Sequence, residues 1–376
     1  MKTKTIFNSL IFLFLLSFQQ AQTQELWGMT LNGGANNLGV IFEFNASNNS
    51  ISKKIDFPIP DQGANPRSYL IQAHDGKLYG MSDKGGIKDV GVLFSYDPIT
   101  KEYVKRVDFE GNKGEYPDGA LVQCENGKLY GITSYGGANN LGVIFEYDPV
   151  TNKYEKKVDF NGNNGSKPLA GLLKATNNKL YGMTSKGGKY SKGVIFEYDP
   201  KQNTFIKLLD FDGANNGSSP YGSLMQAKNG KLYGLTFYGG KNDDGVLFEY
   251  DFDDKYSGSH PRGRLYQATN GKFYGITYRG GDYNKGVFFE YSSSSGLLKE
   301  HSFGATSQDG TNPMGGLIEI TDGKLYGLTP SGGWGGGTIF EYDINNNSYA
   351  VKYYFDYNKS YLPLGQLLLL SNDRLY

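Results

Sequence analysis

From residue 25 onward the chain alternates short apolar runs with breaks rich in Gly, Asn and Asp. Each run is too short for a helix and carries β-branched and aromatic residues, so each predicts a strand. Residues 121–124 (LVQC) give a first strand, A, and the Asn126-Gly127 pair a turn. Residues 128–133 (KLYGIT) give strand B and residues 142–147 (GVIFEY) strand C. An Asp148-Pro149-Val150-Thr151 turn leads into strand D at 154–160 (YEKKVDF), and a Gly/Asn loop at 162–165 leads onward. The A–B turn recurs as Asp75-Gly76, Asn229-Gly230, Asn270-Gly271 and Asp322-Gly323. Such pairs predict type I′ hairpins with positive φ at both central residues.

The whole unit recurs seven times. The glycine of a Leu-Tyr-Gly-type triplet stands at 28, 80, 131, 182, 234, 275 and 327, in steps of 52, 51, 51, 52, 41 and 52. A Gly pair follows each triplet, then a Gly-Val-Ile-Phe-Glu-Tyr-type run, then a Pro-x-small-x-Leu element beginning at Pro66, Pro117, Pro168, Pro220, Pro261, Pro313 and Pro363. Four-stranded units of about 40–50 residues repeated in this way predict an all-β fold, a β-propeller of antiparallel four-stranded blades. A linear β-solenoid fits less well, because its repeats are shorter and less hairpin-like.

The chain ends point to closure. Residue 25 opens directly on a strand B, and the last complete strand A is 367–370. Seven B-C-D sets therefore balance seven A strands if 367–370 completes the first blade. This predicts a seven-bladed ring closed by N- and C-terminal strands, over residues 24–376. Arg374-Leu375-Tyr376 begins a further strand B, which leaves an eight-bladed propeller truncated at the C-terminus as the alternative. The short 41-residue step falls between Tyr250 and Gly263 and removes 11 residues, so the blade containing residues 245–250 is expected to lack its outer strand.

Composition changes the picture in three ways. Lys+Arg and Asp+Glu are 38 each, which argues against a nucleic-acid partner. One Cys and three His exclude a disulfide framework and a cysteine zinc site. Lys2 and Lys4, the apolar run 10–16 and a polar stretch at 19–24 read as a secretory signal peptide over 1–23. That run is well short of the ~18–20 apolar residues of a bilayer span. The expected product is secreted or held at the outer cell surface, monomeric, without a transmembrane segment in the mature chain.

The succession Leu-Tyr-Gly-Met-Thr, Gly-Gly and Gly-Val-Ile-Phe-Glu-Tyr closely resembles the GloVer-type tandem repeat of secreted bacterial proteins, over residues 25–376. The Gly pair and the stretch at 147–154 (YDPVTNKY) are also kelch-like. The resemblance implies a secreted propeller. It further implies a C-terminal sorting domain in many members, none of which is recognisable in this chain. The Trp-Asp pair of WD40 blades and the Asp box of sialidase propellers are missing.

Candidate chemistry divides into repeated and unrepeated residues. Strand C carries Glu43, Glu146, Glu197, Glu249, Glu290 and Glu341, with Ser95 in the odd blade. Strand B carries Thr30, Ser82, Thr133, Thr184, Thr236, Thr277 and Thr329. Residues repeated around a ring cannot converge on one reacting atom, so they read as structural, satisfying backbone N–H groups of the glycine loops. Asp210 and Asp212 brush against a calcium pattern, but Ala214 breaks it and turn formation is the simpler reading. His74, His260 and His301 fall at unrelated points of the repeat. No metal and no cofactor is expected.

The B–C and D–A loops share one end of the meander and vary between units. Their aromatic residues Tyr135, Tyr190, Tyr238, Tyr278, Tyr283 and Trp334 are the candidate ligand contacts, able to stack on a sugar ring or anchor a protein. Three functions follow: a non-catalytic binding or scaffold module for a glycan or an extracellular protein, a carbohydrate-active enzyme using unrepeated acids such as Asp243, Asp244 and Asp282, or a purely structural adhesion module.

Overall fold

The computed structural model describes residues 25–369, except 215, 241–242, 244, 251–263, 293–295, 322 and 357–359. The expected signal peptide, Asp244, His260 and residues 370–376 lie outside the described residues.

The fold is a seven-bladed β-propeller. Blade 3 shows the plan: strand A is Val122–Gln123, B is Leu129–Thr133, C is Val143–Asp148 and D is Lys153–Asp159, hydrogen-bonded in the order A-B-C-D. Blade 2 (Ile71 to Asp108), blade 4 (Leu173 to Asp210), blade 6 (Tyr266 to Ser302) and blade 7 (Ile318 to Tyr354) repeat it. In blade 5, strands Met225–Gln226, Leu232–Thr236 and Val246–Tyr250 form the sheet among the described residues, and the expected loss of an outer strand falls on the undescribed 251–263. Blade 1 combines both chain ends. Leu368–Leu369 supplies its strand A against Glu25–Thr30, with Leu26 opposite Leu369 and Trp27 opposite Leu368.

Closure is visible in the packing. Seven apolar clusters each join two consecutive blades, from Trp27 and Met29 against Leu78 and Phe94, round to Phe42 and Leu367 against Tyr326 and Ile339. Every blade therefore has a neighbour on both sides, and the ring has seven members, not eight.

The Leu-Tyr-Gly glycine has a steric cause. Gly131 lies opposite Phe145 across strands B and C, and a Cβ on it would stand 2.5 Å from the Phe145 ring. The other six triplets repeat the arrangement, at 2.4–2.6 Å. The phenyl ring of strand C lies across the bare backbone of strand B, and both become fully buried. At ~1.5–3 kcal/mol per buried aromatic side chain, these rings are a large part of the driving force. A β-bulge recurs between strands C and D just before the same phenylalanine, as at Ile144/Phe145, and adds twist to the outer half of the blade.

The A–B hairpins differ from expectation. Gly127 has φ 77°, but Asn126 is not among the positive-φ residues, and the same holds for Asp75, Asn229 and Asn270. Gly127 N–H donates to the Cys124 carbonyl, and Cys124 N–H to that of Lys128. The loop is a type I turn closed by a left-handed glycine, the bulged hairpin, rather than a type I′ turn. Asn126 accepts Lys128 N–H at 3.1 Å through its side chain, which holds it in the right-handed region.

Candidate functional site

The repeated side chains form a framework. Glu146 accepts hydrogen bonds from Lys128 (2.6 Å) and the Tyr130 hydroxyl (2.5 Å), with Lys157 at 3.4 Å. Burial alone would raise its carboxyl, but these three donors outweigh it and hold the group below its ordinary value. Glu197 and Glu290 repeat the Tyr and Lys partners, as do Glu249 and Glu341, while Glu43 pairs with Lys54. In blade 2, Ser95 accepts from Arg106 and Tyr79 donates to Asp75 instead. The glutamates thus bind side chains of the sheet, not the loop N–H groups expected of them. Those N–H groups fall to other residues. Thr30 accepts Val40 N–H, and Asp159 and Asn140 accept Ala138 and Gly136 N–H, while Thr133 donates to the Tyr135 carbonyl.

The unrepeated acids are also committed locally. Asp243 accepts Gly239 N–H from its own loop, and Asp282 receives the Ser302 hydroxyl. Asp210 accepts Lys189 N–H and Lys207, and Asp212 accepts Asn216 N–H. His301 stacks on Tyr349 at 3.8 Å beside Asp309.

The candidate aromatics do not gather at one point. Tyr190, Tyr238, Tyr283 and Trp334 are 47%, 44%, 50% and 69% exposed, on four different blades. Trp334 stacks on Tyr354 of strand D, at the outer wall. Tyr190 packs under Lys189. Tyr135 is half-buried against Tyr116 and takes a hydrogen bond from Lys167, and Tyr278 is half-buried beside Arg279.

What converges lies at the axis. Strand A is the innermost of each blade, and the Pro-x-small-x-Leu element leads into it. Three positions after the proline alternate in burial. The first is exposed at Arg67 and half-open at the rest (Asp118, Leu169, Tyr221, Met314, Leu364), the second buried (Ser68, Gly119, Ala170, Gly222, Gly315, Gly365) and the third mostly half-open (Tyr69, Ala120, Ser223, Arg264, Gln366). This is the two-residue period of extended chain, with one side packed and the other facing a lumen. The small second residues meet from blade to blade: a Cβ on Gly119 would strike the Ala170 carbonyl, and one on Gly315 the Gly365 carbonyl, at 2.8 and 2.0 Å. Tyr69 of blade 2 and Arg264 of blade 6 hold this half-open third position on blades that stand across the ring from each other.

At the channel mouth the first position pairs with the residue following the strand-B hydroxyl. Arg67 is 3.5 Å from Asp83, Ser134 donates to Asp118 at 2.6 Å, and Tyr221 packs edge-on to Phe237 at 5.0 Å. Tyr238 in turn packs on Phe237 at 4.6 Å. Blades 2 and 3 thus present charge at Arg67 and Asp118, with Asp83, Ser134 and, on blade 4, Ser185 buried behind them. Blade 5 presents an aromatic shelf, continued by Tyr278 of blade 6. Burial, with the nearby Asp83 charge, pushes the Asp118 carboxyl up to about 6 against the Ser134 hydrogen bond and Arg67. Burial raises Asp83 as well. Asp118, Asp83 and Arg67 escaped the sequence reading because each occupies a column whose side chains differ from unit to unit. The signal was there: those columns vary in chemistry while the proline and leucine around them stay fixed.

A closed ring of four-stranded blades with a polarised axial mouth places the chain among β-propeller proteins. More particularly, it belongs to the Gloeobacter/Verrucomicrobia repeat family, whose model matches residues 16–172, 122–257 and 250–376. No curated protein matches the chain. Among solved structures it is similar to a candidate 6-phosphogluconolactonase of Bacteroides fragilis (15% identity, 94% of this chain and 99% of that one, TM-score 0.60). It is also similar to the periplasmic gluconolactonase of Pseudomonas aeruginosa (14%, 93% and 99%, TM-score 0.57). A third is the propeller domain of the Trilobed protease from Pyrococcus furiosus (13%, 90% and 97%, TM-score 0.50). At these identities the likeness is one of fold.

Proposed function

We propose that this protein is an exported propeller that binds a hydroxyl-rich ligand, a glycan or sugar derivative, at the channel mouth. The observation that carries the reading is the asymmetry of that mouth: the Arg67 guanidinium and the Asp118 carboxylate, backed by the buried Asp83 and Ser134, on blades 2 and 3 stand against an aromatic shelf on blade 5. Sugars ask for this combination, because carboxylates accept their hydroxyls while an aromatic face takes their C–H surface. Export rests on the basic, apolar and polar segments of residues 1–23. The test is a glycan array probed with the full chain and with Asp118→Asn and Tyr221→Ala. Capture lost in both variants, with circular dichroism unchanged, supports the mouth. Capture lost on Trp334→Ala but kept in both variants places the ligand on the outer rim instead.

A second reading is catalytic. A carboxyl raised to about 6 beside a second carboxyl is the pairing that general acid–base chemistry uses. Turnover of a bound glycan that disappears in Asp118→Asn, with binding retained, would favour it.

A further inference from the structure

Blade 7 departs from the other blades at its outer rim. In blades 1 to 4 the residue after the Gly pair donates its N–H to the aspartate that ends strand D: Ala35 to Asp56, Ile87 to Asp108, Ala138 to Asp159 and Lys189 to Asp210, at 2.7–3.0 Å. Blade 6 keeps the bond with the Ser302 hydroxyl as acceptor, at 3.1 Å. A second side chain caps the start of the same loop, as where Asn140 accepts Gly136 N–H at 2.9 Å. In blade 7 the place of Asp159, opposite Val143, is taken by Tyr354, opposite Thr338. The loop is also one residue shorter, with three residues between Gly333 and Gly337 against four between Gly137 and Gly142. Residues 332–337 read Gly-Gly-Trp-Gly-Gly-Gly, so the indole of Trp334 is the one side chain the loop carries.

These changes serve one arrangement. A Cβ on Gly333 would stand 2.7 Å from the Tyr354 ring, so that ring rests on bare loop backbone. The Trp334 indole lies along the same ring, with centroids 5.4 Å apart and planes 15° from parallel, and is 69% exposed. A single exposed apolar residue is ordinary on a protein surface. Here a blade has exchanged polar loop caps for an aromatic pair, and one indole face is left to solvent. Lys352, on the same strand as Tyr354, is held by Glu341 at 3.1 Å.

We propose that Trp334 and Tyr354 form a stacking platform for a glycan chain whose pyranoses carry their hydroxyls equatorially, as β-linked glucose units do. Such a sugar turns a flat C–H face to an aromatic ring and its hydroxyls to the surroundings, where the peptide groups of the glycine loop are uncovered by side chains. A protein partner fits less well, because interface anchors sit among neighbouring contacts that exclude water, and five glycines supply none. The platform stands on the stack alone. With the mouth as the sugar site it makes the ligand a polymer held at two places on one surface, which raises avidity without new contacts at either.

The test reads Trp334 directly. The chain has two tryptophans, and the other, Trp27, is 3% exposed, so iodide should quench the fluorescence of Trp334 selectively. In the full-length wild type, cellohexaose should shift the tryptophan emission to shorter wavelength and lower the iodide quenching constant at least twofold. Calorimetric affinity for cellohexaose should fall at least fivefold in Trp334→Ala. The unliganded Trp334→Ala protein should melt with the wild type, whereas a stack kept for stability would make it melt lower. Unchanged quenching with cellohexaose, unchanged affinity in Trp334→Ala, or a lower melting temperature of that variant would overturn the proposal. So would protection from iodide that rises with protein concentration and needs no sugar, which would make the platform a contact between copies. Protection that persists in Asp118→Asn and Tyr221→Ala supports the platform even if the mouth binds nothing. Cellohexaose binding lost in those two variants, without any protection of Trp334 in the wild type, would keep the mouth and remove the platform.

Discussion

Replacing Glu146 by Gln changes little shape and removes one charge. In the folded protein that charge receives Lys128 at 2.6 Å and Tyr130 at 2.5 Å, with Lys157 at 3.4 Å. A hydrogen bond to a charged group is worth ~1.5–3 kcal/mol, and its loss leaves two ammonium groups competing for a neutral amide. For about 345 folded residues, at ~2.1 cal/mol/K per residue, the melting entropy is ~0.7 kcal/mol/K. The variant should therefore melt about 2–4 °C lower. The pH dependence has a definite sign. The Glu146 carboxyl lies below its ordinary value, so its contribution is fully present above about pH 4.5 and is lost as pH falls through the folded value. Calorimetric scans of wild type and Glu146→Gln should show the full gap at pH 7 and a gap that narrows progressively as the pH is taken below 4.5. A cycle with Tyr130→Phe should give a coupling of about 1 kcal/mol. Equal melting at pH 7 together with zero coupling would refute the assignment of the repeated glutamates to the framework.

Two further outcomes follow from geometry. Gly131→Ala places a Cβ 2.5 Å from the Phe145 ring, and should cost about 1–3 kcal/mol by overpacking; Phe145→Leu should recover part of the loss in a denaturant titration. Asp118, raised from 3.8 to about 6, costs stability when ionised; the cost is absent below about pH 4 and complete above about pH 6. Asp118→Asn, which keeps the Ser134 hydroxyl bond, should thus match the wild type at pH 4 and exceed it at pH 7 by at most about 3 kcal/mol, and a constant difference across that range would contradict the burial argument.

The sequence made the scaffold legible because each strand's cause repeats. Gly131 opposite Phe145 and Thr133 beneath its loop recur in every unit, so chance matches average out and the periodicity alone indicates four strands and seven blades. Closure was legible too, from the strand balance that the pairing of Leu368 with Trp27 now explains. The hairpin type was not, since Asn126 is held in the right-handed region by a side-chain bond that its identity does not announce. The mouth was obscured for the opposite reason to the scaffold. Asp83, Asp118 and Arg264 occur once each, and only the ring brings blades 2, 3 and 6 to a common axis. Attention to exposed aromatics led to Trp334, which the fold turns outward onto Tyr354. Asp118 shares its column with Leu169 and Met314, and looks like ordinary variation until the column is seen to line a lumen.

The seven clusters between blades are nearly interchangeable, so a duplicated or deleted unit would find an acceptable neighbour on either side. Folding alone therefore guards the number of units weakly. The mouth guards it strictly. Arg67 and Asp83 of blade 2 stand across the mouth from Tyr221 and Phe237 of blade 5 only because a fixed number of units separates them in each direction around the circle. One more unit would swing the charged arc away from the aromatic shelf. In this protein the count of copies acts as a coordinate: it is the ruler by which residues far apart in the chain are set face to face.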